Sequence, residues 1–279
     1  MTTRRAVFLD VDGTLVNDRG VIPDGARAAV RQARANGHLV FLSTGRSTSA
    51  IWDDILATGF DGLIAAAGGY IELDGTVLTH RTVDPEDVRR AIDLFTEHGI
   101  AFFLESNRGL FGGPGVQQRI RELIFGGVRD EDVLAELEQG LSGFIDAILP
   151  IPDPLPDDVN KISFLDSPLS VDEVAARLRG VFDVIPSTVP MFGSHSGEMA
   201  IPGVHKGEAV RLLIEHLGIP RTDTVAFGDG LNDLEMLRFV AVGVAMGNAH
   251  PQAVAAADRV TAHVDADGLR LGFQQLGLI

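Results

Sequence analysis

The two ends of the chain share one rhythm: a short, almost continuously apolar run, a turn, then a helical pattern. "AVFLDV" leads into "PDGARAAVRQARANG", and "HLVFLSTG" leads into "SAIWDDILATG" and "GLIAAAGG". Towards the end, "GEAVRLLIEHLGI", "TVAFGDG", "LNDLEMLRFV" and "AVGVAMG" repeat the pattern. Strands without a polar face must be covered on both sides, and the interposed helices supply that cover. The rhythm therefore predicts an α/β fold with a doubly wound parallel sheet. Gly37 is placed to end the first helix, and Trp52 is expected to pack between helix and sheet. "YIELDGTVL" alternates around Asp74-Gly75 and reads as a hairpin.

The middle breaks the rhythm. From about Thr82 to Val189 a separate set of elements appears, among them "PEDVRRAIDLFTEHG", "IAFFLE", "NKISFLD" and "SVDEVAARLRGVF". Glycine and proline punctuate it at "GLFGGPGV" and "LPIPDPLPDD". The expected organisation is a core formed by 1–81 and 190–279, interrupted by an α/β domain at 82–189.

Charge and composition exclude several kinds of chemistry. With 39 acidic against 23 basic side chains, the net charge of -16 disfavours nucleic acid and anionic membranes as partners. The lack of cysteine rules out disulfides, thiolate nucleophiles and cysteine-ligated zinc. "MTTRRAVFLDVDG" reaches a charged residue too soon for a signal-peptide core, and no apolar stretch reaches membrane-spanning length. These features point to a cytoplasmic protein with no membrane partner, and no obligate protein partner is indicated.

Asp10 and Asp12 close the first apolar run with one valine between them. In an extended segment side chains at i and i+2 share a side, so the two carboxylates face one spot and repel each other. Open α/β sheets bind ligands beyond the carboxyl ends of their strands. Four segments bring suitable groups there: "DVDGT", "STGR" with Thr44, Gly45 and Arg46, "HKG" with Lys206 at a helix start, and "GDGLND" with Asp229, Asn232 and Asp233. Asp10, Asp229 and Asp233 make an oxygen-rich site suited to Mg²⁺. A carboxylate can also attack phosphorus, with Lys206, Thr44 and turn N–H groups offsetting the charge of the meeting anions. The neighbouring aspartate can then move the protons.

Those four segments, in that order, resemble the motifs of the haloacid dehalogenase-like (HAD) phosphatase superfamily. An insert between the second and third is similar to the Cof-like IIB branch, whose Rossmann-like core carries an α/β C2-type cap. "VAMGNAHPQAVAAADRVTAHVDADGL" resembles the tail of that branch. The resemblance implies Asp10 as nucleophile, Asp12 as acid and base, and Thr44, Lys206 and Asn232 at the phosphate; Gly45 and Arg46 are further candidates for the phosphate or substrate, with a structural salt bridge the equal alternative for Arg46. It implies magnesium held by Asp10, the Asp12 carbonyl and Asp229, with Asp233 either a further ligand or a partner behind them, and a small phosphorylated metabolite, a sugar phosphate, as substrate. Two departures stand out: Ala67 where the branch often has Asn, and His205 where a smaller polar residue is commoner. Glu105, Asn107 and Arg108 follow a cap strand and are candidates to face substrate. A phosphomutase or phosphotransferase would use the same motifs. A receiver-like phosphoaccepting module fits poorly, because its acceptor lies mid-chain and it lacks a cap.

Overall fold

Ala6–Leu9 is fully buried on both faces and forms β1, the centre of the larger sheet. The computed structural model describes residues 4–187 and 190–279. After β1 come α1 (Asp24–Ala35), β2 (Leu39–Ser43), α2 (Asp53–Leu56), β3 (Gly62–Ala65), β4 (Tyr70–Leu73) and β5 (Thr76–His80). A middle series follows: α3 (Pro85–His98), β6 (Ala101–Ser106), β7 (Gly109–Gly112), α4 (Val116–Phe125), α5 (Glu131–Asp146), β8 (Ile148–Pro150), β9 (Val159–Leu165), α6 (Val171–Arg177), β10 (Asp183–Pro186) and β11 (Gly197–Ala200). The chain then returns through α7 (Lys206–Leu217), β12 (Thr224–Gly228), α8 (Leu234–Phe239), β13 (Val242–Ala245), α9 (Pro251–Ala256), β14 (Arg259–Val260) and α10 (Gly268–Gln275).

Two compact units result. The first comprises the described residues up to Arg46, Ile51–His80 and Val204–Ile279; the second comprises Ser47–Ala50 and Arg81–Gly203. In the first, the strand order is β14-β13-β12-β1-β2-β3-β4-β5. It is parallel through β3, and β4 and β5 add an antiparallel edge. This is the doubly wound α/β sheet the rhythm predicts. One face packs Val7, Leu9, Val40, Leu42 and Phe227 against α1 and α10, and the other packs Phe8, Phe41 and Ile64 against α7 and α8. The hairpin also forms, with Asp74 and Gly75 both at positive φ.

The second unit has a six-stranded sheet of order β10-β11-β9-β6-β7-β8. Phe102, Leu104, Ile162 and Phe164 line one face with α3 and α6, while Phe103, Leu110 and Leu165 line the other with α4 and Ile145 of α5. The sequence boundary at Val189 lies outside the described residues. Beyond it, β11 still belongs to this sheet because it pairs with β9 and β10, so the unit runs on to Gly203.

The helical pattern of "SAIWDDILATG" is broken. Thr48–Ala50 is a 3₁₀ turn, Trp52 is extended at φ -73 and ψ 146, and only Asp53–Leu56 is α-helical. The Ser47 and Ser49 hydroxyls lie 3.1 Å apart, and the Ser49 hydroxyl donates to the Ser106 carbonyl, 57 residues further along the chain, which ties this segment down in a non-helical path. Trp52 is consequently not packed between helix and sheet; it is 37% exposed. Among the described residues no helix is long and apolar enough to cross a membrane.

After β3, Ala66 and Ala67 both sit in the left-handed region, at φ 50 and φ 52. A β-carbon costs roughly 1–2 kcal/mol there, and asparagine tolerates it better than alanine. Ala67→Asn should therefore raise stability by about 0.5–1 kcal/mol in denaturant unfolding, a fraction of that strain. A loss of stability would show that the turn is not strained at this residue.

Candidate active site

The carboxyl ends of three adjacent parallel strands build the site. Asp10 follows β1, Thr44 follows β2 and Asp229 follows β12. Lys206, the first residue of α7, is 0% exposed. Its Nζ donates to Asp10 Oδ1 at 2.5 Å and to Asp233 Oδ1 at 2.7 Å. The other oxygen of Asp233 accepts from the N–H groups of Asp229 at 3.0 Å and Gly230 at 2.9 Å, which ties down the turn after β12.

Glycine permits these approaches. A β-carbon on Gly13, at φ +84, would fall 2.2 Å from Asp229 Oδ2, and one on Gly228 would fall 2.6 Å from the Asp233 carboxyl carbon. Gly68 lies so close to the His205 carbonyl that a β-carbon there would be 2.6 Å from it. His205 caps the helix that begins with Lys206, its Nδ1 accepting from the Glu208 N–H at 3.2 Å.

Oxygen atoms of Asp10, Asp229 and Asp233 all lie within 4.8 Å of one another. An all-carboxylate set of this kind suits a small hard divalent cation. The charges also call for one. Burial, then Asp233, push the Asp10 carboxyl well above its ordinary range, with Lys206 pulling the other way. Burial and Asp233 likewise raise Asp229 to about 7, although the Thr14 hydroxyl donates to it at 2.8 Å. Burial pulls Lys206 down, but Asp10 and Asp233 more than offset it and hold the ammonium charged.

Asp12 is set apart. Its side chain is 60% exposed and takes a two-pronged bridge from Arg46, Nε to Oδ2 at 2.9 Å and Nη2 to Oδ1 at 2.6 Å. Thr44 Oγ1 accepts the Arg46 N–H at 3.1 Å, so its own O–H is available to donate. Asn232 reaches the same loop: a β-carbon on Gly45 would lie 3.0 Å from its Nδ2. Asn248, which none of the four sequence segments includes, also braces the site. Its Nδ2 bonds the Gly13 carbonyl at 2.8 Å and its Oδ1 accepts from Val264 N–H at 2.9 Å. Its place just after β13, within "MGNA", is the signal that marks it in the sequence.

The cap candidates meet partners of their own. Glu105 lies within β6 rather than after it, bound to the Ser163 hydroxyl at 2.8 Å and Lys161 at 3.1 Å. Lys161 also bonds Glu198 at 2.9 Å. Arg108 is bridged to Asp157 and Asp158, and Asn107 accepts from Asn160. A separate cavity of about 400 Å³ lies where β2 begins, lined by Arg5, Leu39 and Asp61, and holds none of the motif residues.

Lys206, Asp10, Asp229 and Asp233 thus meet at the carboxyl ends of the sheet's central strands. The chain belongs to the haloacid dehalogenase-like hydrolases, whose sequence pattern matches residues 7–271. It is 28% identical to "Phosphatase YwpJ" of Bacillus subtilis over 95% of this chain and 97% of that protein. A hypothetical protein of Geobacillus kaustophilus HTA426 superposes with a TM-score of 0.77 at 29% identity, covering 99% of this chain and all of that one. The HAD subclass IIB sugar phosphatase BT4131 shares the fold, with a TM-score of 0.78 at 24% identity over 99% of this chain and 100% of its own.

The raised Asp229 carboxyl gives a pH test. The native state holds a proton that the unfolded state releases above about 3.8. The stability Asp229 contributes is therefore greatest below that pH and is lost as the pH rises to about 7. In EDTA, wild-type stability relative to Asp229→Asn should decline across that window. A difference independent of pH would contradict the assignment.

Proposed function

We propose that the protein is a magnesium-dependent phosphatase acting on a small phosphorylated metabolite, a sugar phosphate, through an aspartyl phosphate on Asp10. The observation that carries this reading is the buried Lys206 held between Asp10 and Asp233 beside a third carboxylate. It puts an anionic nucleophile next to a fixed cation at the ligand-binding end of the sheet. The likeness to a phosphatase, YwpJ, supports the reaction class, and the likeness to a sugar phosphatase, BT4131, supports the substrate class. The net charge of -16 favours a small substrate over a polyanionic one. The second unit is proposed as the cap, and the cytoplasm as the compartment.

Asp10 attacks phosphorus, and the bond to the leaving oxygen breaks as Asp12 gives that oxygen a proton. Water then attacks the phosphorus of the aspartyl phosphate. Asp12, left ionised by the first step, takes the water's proton, the bond to Asp10 breaks, and free phosphate leaves with Asp10 again a carboxylate and Asp12 again protonated. Lys206, the Thr44 hydroxyl, Asn232 and the N–H groups of the glycine turns hold the phosphoryl oxygens. Magnesium bound by Asp10, Asp229 and the Asp12 carbonyl, with Asp233 alongside, would supply neutralising charge for the meeting anions.

Purified protein assayed for phosphate release against sugar phosphates, nucleotides and cofactor phosphates tests this reading. Activity should vanish in EDTA, return with Mg²⁺, need no bisphosphate activator, and drop by several orders of magnitude in Asp10→Asn with folding intact. Full activity without metal, or near-normal turnover in Asp10→Asn, would refute it.

A second test isolates Asp12. Asp12→Ala should cost roughly 10²–10⁴-fold on an ester with a poor leaving group such as benzyl phosphate. The phosphorylation step with para-nitrophenyl phosphate, which needs little protonation, should suffer least, giving a burst followed by slow turnover. Equal losses for both esters in both steps would show that Asp12 does not carry the proton.

A further inference from the structure

We infer that Trp52 is a positioning residue for Asp12, acting through Arg46. This rests on the reading of Asp12 as the proton carrier. The Arg46 guanidinium lies over the Trp52 ring, 4.3 Å from its centroid, while its fork grips both oxygens of Asp12. The indole in turn is backed by Gly20, where a β-carbon would fall 3.2 Å from the ring's Cη2 and Cζ3.

Gly20 belongs to a built turn. Its N–H bonds the Asn17 carbonyl at 2.9 Å, and the Asn17 side chain accepts from the N–H groups of Arg19 and Val21. The same side chain donates to Asp265 at 2.7 Å. A line of contacts thus runs from a pinned backbone turn, through the indole, to the guanidinium and on to the carboxylate.

Other roles for Trp52 fit less well. It belongs to neither apolar cluster flanking the first unit's sheet, and its side chain does not cap α2. It is 37% exposed, so core packing does not account for its place. An exposed ion pair such as Arg46–Asp12 is typically worth little as stability. What the fork gives is geometry: two parallel bonds fix the plane of a carboxylate that is 60% exposed and otherwise free to turn. A flat aromatic surface beneath the guanidinium limits the positions that fork can adopt.

The protein has a single tryptophan, so its emission reports this stack without interference. Two measurements on full-length protein with Mg²⁺ test the inference. In Trp52→Ala, kcat for benzyl phosphate should fall about tenfold with KM little changed, within the roughly 10²-fold that misplacement by 1 Å can cost. The para-nitrophenyl phosphate phosphorylation rate should hold within about twofold, and Trp52→Phe should recover most of the loss, since its ring keeps a face for the cation. Separately, Asp12→Asn, which loosens the fork but leaves Trp52 in place, should change the tryptophan emission, as should Arg46→Ala.

An equal effect of Trp52→Ala on the two esters, or no effect on either, overturns the inference, as does emission that ignores Asp12→Asn. If Asp12→Ala itself shows no dependence on leaving group, the reading of Asp12 falls and the inference falls with it. If Asp12→Ala shows that dependence and Trp52→Ala does not, only the inference fails.

Discussion

One buried ammonium organises this site. Lys206 has no contact with solvent, and a charge in that position must be paired and hydrogen-bonded to be tolerated. Its partners, Asp10 and Asp233, come from turns after two neighbouring strands, β1 and β12. Asp10 and Lys206 are 196 residues apart in sequence, and the whole second unit lies between them in the chain. The pair therefore needs the returning segment in register: β12 beside β1, and α7 starting at the strand ends. Gly228 and Gly68 serve that register, each removing a β-carbon that would collide with the turn or with the start of α7.

One ammonium does not balance the carboxylates around it. Asp10, Asp229 and Asp233 crowd one spot, and burial and mutual repulsion raise the first two. A site left this short of positive charge suits a divalent cation, whose charge would favour the ionised carboxylates against burial and mutual repulsion. Asp12 stands outside the crowd, on the exposed side, with an arginine of its own. The two opening aspartates thus live in different surroundings, one dry and close to a fixed cation, the other wet and held by a fork. That division matches the division of labour proposed for them.

Much of this was legible because local chemistry dictates it. Apolar runs covered on both faces gave the parallel sheet, Asp74-Gly75 gave the edge hairpin, and acidic turns after strands marked the site. What stayed hidden depends on contacts distant in sequence. The pattern of "SAIWDDILATG" has helical periodicity, yet the bond from Ser49 to the Ser106 carbonyl and an extended Trp52 interrupt it. His205, a departure from the family pattern with no role legible in the sequence, is a helix cap. The sequence places Glu105 after a strand, whereas its pairing with Lys161 across β6 and β9 keeps it inside one. The expected boundary at 189 falls short of β11, whose place in the sheet only its partners reveal.

The central claim is that Asp10 becomes covalently phosphorylated. The direct measurement is peptide mass mapping of Asp12→Ala protein quenched in acid during turnover of para-nitrophenyl phosphate with Mg²⁺, the variant in which hydrolysis of the intermediate should be slowest. The account predicts one added phosphoryl group on the peptide containing Asp10, absent when EDTA replaces the metal and lost on treatment with hydroxylamine. Turnover with no phosphorylated peptide, or with the group on any other residue, would contradict it.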